Sequence, residues 1–322
     1  MKRVRLLHVT EFEYDGPVYE SYNEVHLQPI DDELQNCVGF RLRTTPVSSP
    51  TASRDYFGNS VHRFNVIARH RRLRVEAESV VMTQEPAVEA TASDTLAALD
   101  GQRAALLDVH WDFLMPSRHV PAPTGLETLL RAAEDASGGT TAGFAHAATA
   151  LVREHFRYAP GATHVHSSVA DVLAAGAGVC QDFAHLLIAL ARARGLPARY
   201  VSGYLMPQDG AGGPQTVEQV AGGRASHAWA EVLAPGLGWI GVDPTLGTPT
   251  SSRHIRVAYG RDYADVPPVR GVYRGQAGQR LSVDVLVRPA LDDEGCEHIR
   301  EPDHTTPPEP ADHPAAAQQH QQ

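Results

Sequence analysis

One segment constrains the fold more than any other. Gly176-Ala177-Gly178-Val179-Cys180 leads into a run to Arg194 in which Phe183, Leu186, Leu187, Leu190 and Ala191 recur at i, i+3, i+4, i+7 and i+8. That spacing is one face of an α-helix. Arg192 and Arg194 suit its last turn, and Gly195 and Pro197 supply a stop. The spacing therefore predicts a helix over 180–194 that begins at a cysteine. A helix start carries unpaired N–H groups and a positive partial charge. Both favour a thiolate and can hold a developing oxyanion. A free cysteine is also a common buried structural residue, so position alone does not make Cys180 a nucleophile.

A second cluster supplies what a nucleophile needs. Ser226-His227-Ala228-Trp229-Ala230-Glu231-Val232-Leu233 and Gly238-Trp239-Ile240-Gly241-Val242-Asp243 read as two strands, joined by Ala234-Pro235-Gly236-Leu237 in a hairpin. If Leu233 pairs with Leu237 or Trp239, His227 falls opposite Asp243 or Thr245. Opposite or diagonal residues on one face lie about 4.5–8 Å apart. His227 can then act as base and Asp243 as its orienter, the logic of acyl-transfer sites. Trp229 and Trp239 share that face by period two and read as core packing. His185, five residues after Cys180, points about 140° away from it around the helix and reads as a packed or hydrogen-bonding histidine. Asp182 in the first turn suits the helix dipole.

Elsewhere the chain divides into a β-rich region over 1–100, a catalytic core over 101–290 and a disordered tail over 291–322. Period-two segments at 3–9, 22–27, 40–43, 60–66 and 73–81, separated by turns such as Asp15-Gly16-Pro17 and Asp55-Tyr56-Phe57-Gly58-Asn59, predict a small β-sandwich. A mixed connection over 91–125 precedes helical patterns that put Leu126, Leu129, Leu130 and Ala133 on one face, and Ala147, Leu151, His155 and Phe156 on another. A short helix is predicted over 169–175, and strands over 198–205 and 281–287. The Gly- and Pro-rich stretch 206–224 reads as a mobile loop, placed to gate a cleft beside His227.

Composition removes several function classes. The net charge is −10 and the 28 Lys and Arg residues are scattered, which argues against nucleic acid. No apolar leader segment follows the basic N-terminus and no run of about 18 apolar residues occurs, so a cytoplasmic location with no membrane contact is expected. Three distant cysteines, Cys37, Cys180 and Cys296, do not make a disulfide framework. His164-Val165-His166 and the tail histidines lack the spacing of a metal site. No metal or cofactor is expected.

Taken in order, Gly178-Val179-Cys180-Gln181-Asp182-Phe183-Ala184-His185, Gly195-Leu196-Pro197-Ala198-Arg199-Tyr200-Val201-Ser202-Gly203-Tyr204, Ser226-His227-Ala228-Trp229 and Gly238-Trp239-Ile240-Gly241-Val242-Asp243-Pro244-Thr245 resemble the bacterial transglutaminase-like superfamily. The ending Gly260-Arg261-Asp262-Tyr263-Ala264-Asp265-Val266-Pro267-Pro268-Val269-Arg270-Gly271-Val272-Tyr273 is similar to the branch described as candidate cysteine proteases, and the region around Asp55-Tyr56-Phe57-Gly58-Asn59 resembles the β-rich region that precedes the core there. The resemblance implies an α+β, papain-like core with Cys180 on a helix packed on a sheet that carries His227 and Asp243. It implies amide chemistry on a peptide or protein through a thioester, resolved by water or an amine. In animal crosslinking transglutaminases a tryptophan follows the cysteine; Gln181-Asp182 stand here, which favours hydrolysis. Gln181 and the Cys180 N–H are candidates for the oxyanion hole. A catalytically silent module that holds a peptide in the same cleft is the alternative.

Overall fold

The computed structural model describes residues 1–86, 94–122, 124–207, 226–290 and 318–320. The N-terminal strands are β1 (Lys2–Val25), β2 (Gln35–Thr45), β3 (Thr51–Arg54), β4 (Ser60–Val66) and β5 (His70–Thr83). Helices α1 (Leu96–Gly101), α2 (Arg103–Leu114), α3 (Glu127–Ala136) and α4 (Thr141–His155) follow, then β6 (Arg157–Tyr158), α5 (Val169–Ala175), β7 (Ala177–Gly178) and α6 (Cys180–Arg194). The second half is strand: β8 (Ala198–Leu205), β9 (His227–Ala234), β10 (Gly238–Asp243), β11 (Thr248–Pro249), β12 (His254–Gly260), β13 (Val269–Arg274), β14 (Gln279–Pro289) and β15 (Gln318–His320), with a 3₁₀ turn at Tyr263–Asp265. Among the described residues no helix is long and apolar enough to cross a membrane.

The α+β architecture expected from the sequence is present. The N-terminal part differs in one respect: β1 is a single 24-residue strand where two were expected. Its first half pairs with β14 and β5, its second half with β13 and β4. The pairing slips between Glu13 and Val18 and again between Tyr19 and Tyr22, and Glu20 has a positive φ of 48°. Asp15-Gly16-Pro17 thus bends a strand instead of ending it, because bulges let a strand turn while its ladders continue. One sheet thereby curls over its own core of Phe12, Tyr14, Val18, Phe64, Leu73 and Tyr273. Strands β13 and β14 return from the far end of the chain to complete this sheet.

The second sheet runs β11-β10-β9-β8-β12, and all four of its ladders are antiparallel. Helix α6 packs against β9 and β8 on one side and α4, α5 and α3 on the other. This double contact explains why every residue from Asp182 to Arg192 is buried, not merely one stripe. Phe183, Leu186, Leu187, Ile188 and Leu190 are all fully covered, each worth about 1.5–3 kcal/mol of apolar burial. Gly195 takes φ 87° and its N–H bonds Arg192 O, while Leu196 N bonds Ala191 O, closing the helix. Two helical expectations are corrected. Helices α1 and α2 occupy the expected mixed connection. The buried stripe of α4 is Thr141, Phe144, Ala145, Ala148, Thr149 and Val152, so Ala147 and Leu151 lie at its edge.

β12 is an edge strand, and edges must be covered. Two side-chain amides from the N-terminal region do it. Asn59 Nδ2 donates to Tyr259 O (2.8 Å) while its Oδ1 accepts from Tyr259 N (2.9 Å). Gln35 Nε2 donates to Arg256 O (2.7 Å) and its Oε1 accepts from Arg256 N (2.8 Å). Both amides imitate a neighbouring strand. Asp55 holds Asn59 in place by accepting from its N and Nδ2, which gives the Asp55-Tyr56-Phe57-Gly58-Asn59 turn a structural purpose. Tyr204 on β8 also hydrogen-bonds with His8 of β1 (2.9 Å). Of the expected loop 206–224, residues 208–224 lie outside the described residues; so does the tail 291–322 apart from Gln318–His320, which pair with β13.

Candidate active site

The turn that delivers Cys180 is built from glycine and one carboxylate. Gly176 ends α5 in the left-handed region (φ 58°), where a side chain would be strained. Residues 177–178 pair in parallel with 157–158, and Val179 is extended before α6 begins. Asp182 folds back to accept from Val179 N (2.8 Å), and Thr163 Oγ1 donates to the same oxygen (2.5 Å). Burial pushes the Asp182 pKa up, against these two hydrogen bonds. A Cβ on Gly178 would lie 2.7 Å from Asp182 Cβ and Oδ2. Gly178→Ala is therefore expected to destabilise the fold by about 1–3 kcal/mol and to slow thiol labelling of Cys180. Thermal melting and iodoacetamide kinetics on the same preparation would check both.

β9 and β10 form the expected hairpin with Trp239 opposite Leu233. That register puts His227 opposite the position of Thr245 and diagonal to Asp243. His227 Nε2 donates to Asp243 Oδ2 at 2.7 Å, and both side chains are fully buried. Asp243 Oδ1 accepts from Thr245 N (2.9 Å) and Leu246 N (3.3 Å). A fourth donor is one the sequence did not disclose. Ser251 N donates to His254 Nδ1 (3.0 Å), so the proton of the neutral ring sits on Nε2, which donates to Asp243 Oδ2 (3.1 Å). Nothing local marks His254: it reaches Asp243 only because β12 pairs with β8, which pairs with β9.

The charges follow from this geometry. Burial alone would lower the His227 pKa, but the charge and hydrogen bond of Asp243, with those of Cys180, raise it to about 10. Burial would raise Asp243, yet His227 and then His254 hold it well below the usual carboxylate range. His227 Nδ1 is buried without a well-directed hydrogen bond, and Cys180 is the group that acts on the ring besides Asp243. Both shifts favour a charged pair on the Asp243 side of the ring. His227, Asp243 and His254 bring ligating atoms within 4.8 Å of one another, and each is already engaged by hydrogen bonds.

Cys180 and His227 line a cleft of about 410 Å³. Its lining comes from both parts of the chain: Phe12 of β1 and Leu281 and Val283 of β14, with the start of α6 and Tyr200 of β8. Gln181 lies in the cleft, its Nε2 donating to Val165 O (3.2 Å). One N–H of that amide remains for another acceptor. Asp243 lies behind His227, outside the lining. His185 is buried and stacked on His119 (5.3 Å), and its Nε2 accepts from Tyr263 N. Trp229 is buried against His254, and a Cβ on Gly203 would fall 2.5 Å from its indole. Trp239 instead covers Arg199 (4.2 Å), away from the cleft lining.

Comparison with known proteins places this geometry in a family context. The model of the transglutaminase-like superfamily matches residues 127–244, and that of the bacterial transglutaminase-like N-terminal region matches residues 4–82. The uncharacterized protein ML0607 of Mycobacterium leprae is 36% identical over 289 residues, covering 89% of this chain and 99% of that protein. The uncharacterized protein Rv2569c of Mycobacterium tuberculosis is 34% identical over 307 residues, covering 89% and 93%. Among solved structures, a candidate cysteine protease from Cytophaga hutchinsonii superposes with a TM-score of 0.63 at 22% identity, over 91% of this chain and 95% of its own. That likeness shows the shared fold.

Proposed function

The chain belongs to the transglutaminase-like superfamily, and from that membership we propose that it is a thiol enzyme acting on an amide of a peptide or protein. The observation that carries the reading is the buried His227–Asp243 pair (2.7 Å) beside a cysteine at a helix start, in an open cleft. Cys180 attacks the amide carbonyl carbon as a thiolate and a C–S bond forms. The oxyanion is held by N–H groups at the start of α6, with the Gln181 side chain as a second donor. His227, protonated, gives its Nδ1 proton to the leaving nitrogen as the C–N bond breaks. A thioester remains. Water or an amine then attacks it, with His227 as base, and Cys180 leaves. Asp243 holds the ring's orientation throughout and stabilises its cationic form whenever Nδ1 carries the proton, and His254 positions Asp243.

Hydrolysis is favoured over crosslinking because Gln181-Asp182 follow the cysteine. Incubation with a glutamine-containing peptide library, with and without a primary amine, separates the outcomes by mass. Cleavage products or a gain of about 1 Da by deamidation are expected, and amine adducts only as a minor fraction. Dominant amine incorporation would reverse the preference for water. An absence of any Cys180-dependent product, with sluggish and equal labelling of all cysteines, would support a silent peptide-binding module instead.

A further inference from the structure

The charge lining the cleft is one-sided. Acidic residues outnumber basic ones in this chain by 38 to 28. Yet the described residues that line the cleft include two arginines, Arg118 and Arg270, and no carboxylate. Arg270 is already neutralised by Glu24. Arg118 is exposed and has no acidic partner among the described residues.

The backbone on both sides of Arg118 is tied down. Ser117 N bonds Val120 O (2.8 Å), and His119 N bonds the buried Asp262 Oδ2 (2.7 Å). The buried Arg192 fastens the same loop from below, donating to Phe113 O, Met115 O and Ser117 Oγ. A cation with no counter-charge among the described residues, carried on a backbone tied down on both sides and lining the cleft, suits an anion.

Resting on the amide-cleaving reading above, we infer that Arg118 binds a carboxylate of the substrate, so that the cleft selects acidic peptides. Phe12, Leu281 and Val283, which line the same cleft, give the peptide an apolar surface as well. The carboxylate can be a Glu or Asp side chain or a free C-terminus.

The test uses the full chain carrying Cys180→Ala, which separates binding from turnover. Fluorescently labelled hexapeptide pools are titrated in pairs: Glu against Gln at the varied position, and a free against an amidated C-terminus. At least one acid form is expected to bind about tenfold to a hundredfold more tightly than its neutral partner. Adding Arg118→Gln should reduce that ratio to about one, Arg118→Lys should keep part of it, and Arg118→Glu should turn it to favour Lys-bearing peptides. Which pair discriminates identifies the source of the carboxylate. Equal binding of acid and neutral forms, no binding of either, or a ratio untouched by Arg118→Gln overturns the proposal. Acid-selective binding without Cys180-dependent turnover in the wild type would instead sink the enzymatic reading and keep this one.

Discussion

Replacement of Cys180 by alanine is expected to lower peptide turnover by at least about 10⁴-fold, with little change in thermal stability. The thiol supplies the only protein atom that bonds to the substrate in the proposed sequence of steps. Ser202 and Ser226 also line the cleft, but a hydroxyl is a far weaker nucleophile than a thiolate unless a base is placed on it. Cys180 is only half-buried, so truncation leaves no closed cavity and should cost about 1 kcal/mol or less. The same exchange should remove the fast component of iodoacetamide labelling. Cys37 cannot supply it, because burial pushes its thiol up to about 11 and leaves little thiolate at neutral pH. Steady-state kinetics with mass mapping of the labelled cysteine provide the check. A Cys180→Ala protein that kept a tenth of wild-type turnover would falsify the mechanism.

How much of this was legible in the sequence depends on how local each signal is. Helix α6 and strand β8 fall at their expected limits, since periodicity, capping and stop residues all lie within the segments themselves. The β9–β10 hairpin was legible too, because Ala234-Pro235-Gly236-Leu237 restricts the pairing to two registers, and either one brings His227 to Asp243. Non-local features were not. β1 looked like two strands because Asp15-Gly16-Pro17 carries turn chemistry, and only pairing with four other strands holds it continuous. Helix α2 buries Leu106 alone, so its apolar residues never formed a readable stripe. β12 was overlooked although Ile255 and Val257 are buried in it. With it went His254, whose role exists only once four strands are assembled in order.

Exchange of Asp243 for asparagine is expected to lower kcat by about 10³–10⁴-fold and to change the pH dependence of both activity and stability. The carboxylate accepts four hydrogen bonds, two on each oxygen. An asparagine can keep its oxygen on Thr245 N and Leu246 N only by turning its NH₂ toward His227 and His254. His227 Nε2 must then accept, so the ring's proton moves to Nδ1 and its cationic form loses its counter-charge. With Asp243 neutral, burial dominates and the His227 pKa falls from about 10. The alkaline limb of kcat/KM, expected near pH 10 in the wild type, should move toward acid. For stability, a histidine raised from 6.5 to about 10 contributes fully below pH 6.5 and loses that contribution as pH rises through 10. An aspartate depressed below 3.8 contributes above that pH and loses its contribution as pH falls. The Tm difference between wild type and Asp243→Asn should therefore be greatest between about pH 4 and 6.5 and shrink toward pH 10. His254→Ala removes one donor of four and leaves the His227–Asp243 charge pair, so its effect on kcat should be nearer tenfold with the alkaline limb only slightly moved. Equal losses in the two variants, or pH profiles that coincide with the wild type, would mean that Asp243 serves the fold and not the proton on His227.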